Sequence, residues 1–402
     1  MKTLRQTKME GWLEYYREEC PICHKTGGCI RNIDGDMVGC IRIESNKVFS
    51  KSPMTWLHIL TQKQEKVTST WVQGVKKRDD EQLNFIYRNL IHQRLTLTQF
   101  HLEKMKYERG LSEEEINVLG YKSINNETTV MVPKGLKLSG IPGFYKQNDK
   151  YHFVRANGIL IPYRNEYNEI VGYQVRQDVI KNFATLKNAS DSCKATVDAD
   201  NHSVTVVNGD GEIIFKKRME VGEELEVIAG MTVKLKAQNK YYWISSANKE
   251  EGCGPGAPVH VSYDWARVEA FETDIRSAIR EKNVWITEGA VKGDIAHAHM
   301  KNAFTQDELN KIGDTFLSVA GVTSWANLLP VLENIGAEQV TIAFDMDMLA
   351  NEYVKNAVSQ LLAALKEKRY TINYASWSQN DGKGIDDVLL NSKRPKVRRI
   401  NY

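Results

Sequence analysis

The stretch VWITEG, residues 284–289, decides the fold of the C-terminal part of this chain. Its β-branched and aromatic residues predict a buried strand that ends at Glu288-Gly289, just before a helical pattern. Two further stretches repeat this arrangement: TIAFDMD (341–347), and TINYA (371–375) followed by GKGIDD (382–387). Strands that alternate with helices predict a Rossmann-like parallel sheet covered by helices, which we place at residues 282–392.

The acidic residues of these stretches all follow predicted strands. In open α/β sheets the ligand binds beyond the carboxyl ends of the strands. Carboxylates that meet there repel each other unless hard divalent cations lie between them, which predicts two or more Mg²⁺ or Mn²⁺ ions. Asp-x-Asp and Glu-Gly each occur three times in the chain, so only the strand context singles out the copies at 288 and 345. The candidate catalytic residues are Glu288, Asp345, Asp347, Asp386 and Asp387.

Four of the six cysteines lie within the first forty residues. Cys20 and Cys23 form a C-x2-C pair, and Cys29 and Cys40 supply a second, wider pair. Without a secretory signal, such spacing favours one tetrahedral zinc ion over disulfides. His24 is an alternative third ligand to Cys29. The pattern predicts a zinc ribbon at residues 1–48.

The middle of the chain divides into segments that differ in hydrophobic pattern. Apolar residues at 3.6-residue spacing predict a helical region over residues 49–125. Short alternating runs between Asn-Gly and Gly-Glu turns predict a small β insert at residues 188–239. On either side of the insert, residues 126–187 and 240–281 form a basic α+β subdomain.

The basic subdomain contains a predicted hairpin, residues 158–164 and 170–176, whose strands end in Arg164 and Arg176. Together with Arg155, these guanidinium groups could hold phosphates in a groove. Spacing alone fits surface arginines at strand ends equally well. Lys240 precedes an aromatic run that could stack bases or form a buried strand.

Composition limits the choice of protein class. The net charge of +3 at pH 7 is too small to establish a nucleic-acid partner. We expect no membrane span, since no apolar run approaches about 18 residues. The polar first residues lack a signal-peptide core, which favours the cytoplasm. The basic tail at 393–402 suits either a phosphate-binding segment or a solvated end.

Together, the motifs resemble those of a known family. Glu288-Gly289, Asp345-x-Asp347 and Asp386-Asp387 resemble the Toprim domain of bacterial-type primases, topoisomerases and some nucleases. The order of cysteine ribbon, LEKMKYERGLSE (102–113), IPYR…VGYQVR hairpin (161–176) and Toprim resembles that of bacterial replicative primases. The resemblance is greatest to compact primase-like proteins of phages and mobile elements.

This resemblance implies a role for each matching residue. Glu288, Asp345 and Asp347 would bind metal, supported by Asp386 or Asp387. Arg164, Arg176 and Lys240 would contact template or nucleotide. Arg155 and Lys292 are further candidates for this contact, beyond what the resemblance implies. The implied reaction is two-metal synthesis of RNA primers from ribonucleoside triphosphates on single-stranded DNA.

The chain also departs from the family pattern. Its ribbon lacks the Cys-His-Cys-Cys arrangement of cellular primases, and the β insert is not a standard primase feature. No helicase region follows residue 392, so we expect a separate helicase and polymerase as partners. Two alternatives remain: a Toprim nuclease that uses the same acids, and a non-catalytic single-stranded-DNA-binding factor.

Overall fold

The computed structural model describes residues 4–7, 9–51, 53–67, 75–189, 192–265, 277–345 and 352–400. Asp347, a candidate metal ligand, lies outside the described residues. The chain forms two compact units. The first comprises Met1–Ala156, Leu160–Gln174 and Trp243–Tyr402, and the second comprises Asn157–Ile159 and Val175–Tyr242.

The N-terminal part of the first unit is an antiparallel sheet in the order β1-β2-β3-β4-β6-β5. Between Cys29 and Cys40 the chain forms a hairpin, in which β3 pairs with β4. The prediction of helix from residue 49 is wrong at its start, where β5 and β6 extend the ribbon sheet. Thr55 and Trp56 are buried in β6, as β-branched and aromatic residues favour. The strands are β1 (Arg5–Gln6), β2 (Trp12–Glu14), β3 (Ile30–Asn32), β4 (Met37–Cys40), β5 (Val48–Lys51) and β6 (Met54–Ile59).

Three short α-helices follow the ribbon. Asp79, Thr98 and Ser112 cap their N-termini by accepting backbone N–H bonds, and Gly110 and Gly120 end α2 and α3 in the left-handed conformation. The helices are α1 (Asp80–Tyr87), which continues as a π-helix (Arg88–His92), α2 (Gln99–Arg109) and α3 (Glu113–Leu119).

The basic subdomain contains a four-stranded sheet in the order β18-β11-β10-β7, and a separate β8-β9 hairpin. The predicted strands at 158–164 and 170–176 are present as neighbours in this sheet. The strands are β7 (Lys122–Ile124), β8 (Phe144–Gln147), β9 (Lys150–Phe153), β10 (Gly158–Arg164), β11 (Ile170–Gln177) and β18 (Tyr241–Trp243).

The insert begins before the predicted residue 188, because Asn182–Lys187 form a strand that pairs with Thr232–Ala237, and it is entirely β in its described residues. It has two three-stranded antiparallel sheets, β12-β17-β16 and β13-β14-β15, around a core that includes Val204, Val233 and Leu235. The strands are β12 (Asn182–Lys187), β13 (Lys194–Val197), β14 (Ser203–Val207), β15 (Ile213–Arg218), β16 (Glu224–Ile228) and β17 (Met231–Ala237).

The C-terminal part of the first unit is a six-stranded sheet in the order β19-β21-β20-β22-β23-β24. Its four central strands are parallel and its two edge strands are antiparallel. The strands are β19 (His260–Ser262), β20 (Asn283–Glu288), β21 (Thr315–Val319), β22 (Gln339–Ile342), β23 (Thr371–Ser376) and β24 (Lys396–Arg399). The helices are α4 (Ala290–Ala303), α5 (Gln306–Ile312), a 3-10 helix (Val322–Asn327), α6 (Leu328–Ile335), α7 (Glu352–Glu367) and α8 (Ile385–Leu390).

Both faces of this sheet are buried, because successive side chains of a strand pack into cores on opposite sides. Val284 and Ile286 of β20 pack into the core that contains Leu328 and Leu361 of α6 and α7. Trp285, between them, packs into the opposite core with Met300 of α4. A two-residue side-chain period with both faces buried explains why β20 is a continuous apolar run in the sequence.

The structure also bears on the predicted basic tail and on the question of a membrane span. The predicted basic tail is partly ordered, because Lys396–Arg399 form the edge strand β24 against β23. Charged side chains are common on edge strands, where they discourage pairing with other chains. Within the described parts of the chain, no helix combines the length and apolar character needed to cross a bilayer.

Candidate functional site

The candidate acidic site lies where the chain order of the C-terminal sheet reverses. From β20 the chain passes to β21 on one side and later returns to β22 on the other. Ile286 pairs with Ile342, and the Ala343 amide donates to the Ile286 carbonyl at 2.8 Å. Glu288 and Asp345 therefore leave two adjacent parallel strands at the same edge, the position at which such sheets bind ligands.

Lys292 is the cation of this edge. It lies in the first turn of α4, and its Nζ is 2.5 Å from Asp345 Oδ1. Burial alone would lower the pKa of Lys292, but the charges of Asp345, Asp386 and Glu288 raise it above its ordinary value. These four side chains therefore share one electrostatic environment.

Asp386 and Asp387 have different surroundings in the loop and helix after β23. Asp386 is 4% exposed, and its Oδ1 has no hydrogen-bond partner among the described residues. Burial and the charge of Asp387 raise the pKa of Asp386, against the opposing effects of Lys292 and Arg109. Asp387 accepts from the Lys383 and Gly384 amides at 3.2 and 3.4 Å, so it caps α8. Asp386 therefore lies within the electrostatic influence of Lys292 and Asp345, whereas Asp387 accepts from the amides at the start of α8.

Arg109 is a site residue that the sequence did not indicate. Its Nη1 lies 3.5 Å from Asp386 Oδ2 and 3.9 Å from Asp387 Oδ1. The Arg109 carbonyl accepts from His299 Nε2 of α4 at 2.9 Å. Arg109 lies within LEKMKYERGLSE, the stretch that resembles bacterial primases. That motif could have indicated Arg109 as a site residue.

A buried hydrogen-bond network fixes α4 behind the site. Asp294 accepts from His260 Nε2 and Ser262 Oγ at 2.7 Å and from the Tyr121 hydroxyl at 2.6 Å. Burial would raise the pKa of Asp294, but the charge of His260 and these hydrogen bonds lower it below its ordinary value. The Arg164 amide donates to His260 Nδ1 at 3.1 Å, which assigns the His260 proton to Nε2.

The basic residues predicted to contact template or nucleotide differ in their exposure and in their partners. Arg155 is exposed. Arg164 is 1% exposed and donates to the Asn168 side chain and the Val118 carbonyl. Arg176 is 8% exposed, and its Nε and Nη1 have no hydrogen-bond partner among the described residues. Lys240 Nζ lies 5.9 Å from the Tyr241 ring centroid. Their nucleotide contacts stay predictions.

Four cysteine sulfurs in the ribbon are arranged to bind a metal. The Sγ atoms of Cys20, Cys23, Cys29 and Cys40 all lie within 4.8 Å of one another, and all four residues are buried. The Cys23–Cys29 and Cys29–Cys40 Sγ distances are 3.6 and 3.7 Å. A tetrahedral zinc site with Zn–S bonds near 2.3 Å requires about 3.8 Å between sulfurs, whereas a disulfide needs about 2.0 Å. His24 is exposed and outside this group, so the structure favours Cys29 over His24 as the third donor.

Arg42 compensates the negative charge that thiolates would bring to this group. Its Nη1 donates to Cys29 Sγ at 3.3 Å and to Cys23 Sγ at 3.7 Å. The backbone amides of Arg42 and Ile43 donate to Cys40 Sγ at 3.4 and 3.3 Å. Hydrogen bonding to Cys20 lowers the pKa of the Cys40 thiol to about 7. Such donors stabilise thiolate ligands of a metal.

A family described as Domain of unknown function (DUF3854) matches residues 277–395, less than a third of the chain. No curated protein matches the chain.

Solved primase structures show a distant likeness. The DnaG primase catalytic domain bound to single-stranded DNA is 12% identical, with a TM-score of 0.40 over 77% of this chain and 75% of that one. The DnaG catalytic core is 11% identical, with a TM-score of 0.40 over 79% and 80%. The zinc-binding and RNA polymerase domains of the Aquifex aeolicus primase are 10% identical, with a TM-score of 0.36 over 80% and 63%.

Proposed function

We propose that this chain is a DNA primase that synthesises short RNA primers on single-stranded DNA, in the replication of a phage or mobile element. The observation that carries the proposal is the meeting of Glu288, Asp345, Asp386 and Lys292 at the carboxyl edge of the parallel sheet. This edge has the position and acidic sequence motifs of a Toprim domain, the resemblance on which the primase assignment depends.

The chemistry of the donors fits a hard divalent cation. Asp386 Oδ1 is a buried carboxylate oxygen without a hydrogen-bond partner among the described residues, and such an atom is costly unless a ligand satisfies it. Oxygen donors suit Mg²⁺ or Mn²⁺. A bound divalent ion supplies charge stabilisation to the attacking 3′-hydroxyl and to the leaving pyrophosphate.

The protein's own residues would position the reactants. Glu288 pairs with Val319 of β21, and Asp345 lies two residues beyond Ala343, whose amide donates to the Ile286 carbonyl. Asp294 anchors the helix that carries Lys292. Nucleotidyl transfer needs no side-chain nucleophile, so rigid placement of charges is the main requirement. Asp347 is proposed as a further ligand from its place in the Asp-x-Asp motif.

The ribbon would read the template. Four buried cysteines at tetrahedral spacing support one structural zinc ion. A ribbon stabilised in this way can present its surface to single-stranded DNA, as the resemblance to primases implies.

The test is synthesis of labelled RNA on single-stranded DNA with four ribonucleotides and Mg²⁺ or Mn²⁺. We expect short, template-dependent products from the wild type and none from Asp345→Asn, with DNA binding retained. Matched activity of Asp345→Asn and wild type would contradict the site. Metal-dependent loss of the DNA, without synthesis, would instead identify a nuclease that uses the same acids. Binding without either reaction would favour the non-catalytic factor.

A further inference from the structure

We propose that residues 393–399, which include the edge strand β24 and are named here the basic strand, bind the phosphate backbone of single-stranded template DNA. The inference deepens the proposed function and rests on it for the choice of template DNA as the ligand. Its test measures DNA binding without nucleotides, so it can fail while primer synthesis stands.

The first observation is the sign of the charges. Residues 388–402 contain no Asp or Glu. Charges of either sign would discourage an edge strand from pairing with another chain, so a run of one sign needs a further explanation. Such a run is typical of segments that contact nucleic-acid phosphates. The basic strand has five cationic side chains in seven residues: Lys393, Arg394, Lys396, Arg398 and Arg399.

The second observation is that most of these charges face solvent. Within the described part of the chain, Arg394 is the one of the five that forms an ion pair, with Glu308 at 2.8 Å. The neighbouring strand β23 has the sequence TINYAS and contributes no acid. The other four cationic side chains, which are all exposed, are therefore available to an anionic ligand.

The third observation is that the charges are held in a row. β24 is hydrogen-bonded to β23, and Val397 packs against the core that contains Trp285. Side chains alternate along a strand, so Lys396 and Arg398 share one face, about 6.8 Å apart. A row of fixed cations on an extended segment suits a linear polyanion, whose backbone it can follow.

The fourth observation is where the basic strand begins. Lys396 lies opposite Ser376, the last residue of β23. Because β23 runs parallel to β22 and β20, its carboxyl end lies at the same edge of the sheet as the candidate acidic site. The Lys393 amide also donates to the Val388 carbonyl of α8, the helix that carries Asp386, at 3.0 Å. A DNA strand bound along β24 would therefore extend toward the acidic site.

This position gives the basic strand a role in holding the template. The carboxylates of the acidic site repel a DNA backbone, and a net charge of +3 provides little attraction over the molecule as a whole. Contacts along the basic strand would offset that repulsion. Because they involve phosphates and not bases, we expect them to add affinity for DNA of any sequence.

Fluorescence anisotropy of labelled oligo(dT) at salt concentrations from about 50 to 200 mM tests the inference. The buffer contains no nucleotide and no added divalent ion. Three zinc-loaded proteins are compared: wild type, Lys396→Gln/Arg398→Gln and Lys282→Gln/Lys301→Gln. The last is the matched control, because it also loses two positive charges from the C-terminal sheet domain, at side chains that are 73% and 70% exposed. Circular dichroism of each protein verifies folding.

Each phosphate contact with a single strand contributes about 0.7 to the slope of log affinity against log salt concentration. We therefore expect the slope for Lys396→Gln/Arg398→Gln to be shallower than that of wild type by about 1.4. If the two proteins bind equally at 1 M salt, this difference means about 25-fold weaker binding at 0.1 M salt. The control should match wild type. Lys393→Gln/Arg399→Gln should show the same loss, and it serves as the test variant if the first one does not fold.

Equal slopes for all the proteins would overturn the inference. An equal loss in the control would overturn it as well, since net charge would then explain both results. Reduced binding of polyglutamate, with unchanged binding of oligo(dT), would identify an acidic protein segment as the partner and would also overturn it. If DNA binding depends on the basic strand but the wild type makes no primers, the inference stands and only the proposed function fails.

Discussion

At the scale of single residues, Asp386 is paired with Arg109, a cation from a distant segment of the chain. Arg109 is the cation that faces Asp386 Oδ2, and its side chain is only 18% exposed. Little water therefore competes for this ion pair, and the Asp386 carboxylate keeps one orientation. Since Arg109 and Asp386 come from distant segments of the chain, the pair also ties α2 to the C-terminal sheet.

We predict that Arg109→Met reduces primer synthesis about tenfold, equivalent to about 1.4 kcal/mol of transition-state stabilisation. Without the guanidinium, Asp386 loses its orienting partner. The measurement is kcat and KM for ribonucleotide incorporation, together with the thermal midpoint. Lys106→Met is the control, because Lys106 lies on the same helix and pairs with exposed Glu113. Equal rates for both variants would remove Arg109 from the site.

At the scale of an element, Gly289 forms the junction between β20 and α4. Its φ of +86° and ψ of 127° belong to a region that L-residues rarely adopt, yet a Cβ there would meet no atom within 4 Å. Any cost of adding a methyl group is therefore backbone strain and not a clash.

We predict that Gly289→Ala lowers the free energy of unfolding by about 1–3 kcal/mol. Gly321→Ala is a matched control, since a Cβ at Gly321 is equally free but its φ is −172°, which any residue adopts. Urea unfolding of the two variants and wild type measures the difference. If both alanines have the same effect, strain at Gly289 is not what fixes the start of α4.

The Asp294 network gives α4 a dependence on pH. Because the folded-state pKa of Asp294 is lowered, its ionised form stabilises the fold above its unfolded pKa near 3.9, and this contribution is lost as the pH falls through the lower folded value. Asp294→Asn should cost about 3 kcal/mol at pH 7, since it removes the charged acceptor of three buried hydrogen bonds, from His260, Ser262 and Tyr121.

This cost should shrink as the pH falls below about 3.9, because the wild type then loses the same contribution. Urea unfolding at pH 7 and at acid pH measures the gap between the two proteins. Asp307→Asn, at an exposed position of α5, should follow the wild type at both pH values. A gap of constant size would show that Asp294 does not titrate with folding.

Elements with strong local patterns were predictable, and partners distant in sequence were not. The strands that carry Glu288 and Asp345 have β-branched apolar runs, and their parallel order follows from alternation with helices. Arg109 was missed because its contact with Asp386 depends on tertiary packing, and the spacing of apolar residues carries no information about such contacts. Lys396–Arg399 was read as a tail because an edge strand can carry charges that a central strand cannot.

At the scale of the whole molecule, the ribbon packs against the C-terminal sheet domain within the first unit. Met54 of β6 contacts the core that includes Trp325 and Leu361. Gln360 of α7 donates to Glu44 at 3.0 Å. A small cavity between the two parts is lined by Arg42, which also contacts the cysteine sulfurs, and by Trp56 and Trp325. The metal site and this contact surface thus share a residue.

We therefore predict that removal of zinc by a chelator releases the ribbon and leaves the C-terminal sheet folded. Structural zinc contributes folding free energy directly, so its loss unfolds the ribbon. Trp56 and Trp325, each 8% exposed, should then become solvated, which shifts tryptophan fluorescence to longer wavelength. Cys29→Ser should show this fluorescence shift without chelator. Cys193→Ser changes a cysteine outside the four-cysteine group, so it should show the shift only after chelator is added. Template-dependent synthesis should decrease as the fluorescence shifts. An unchanged fluorescence spectrum after complete zinc loss would mean that packing alone keeps the ribbon folded.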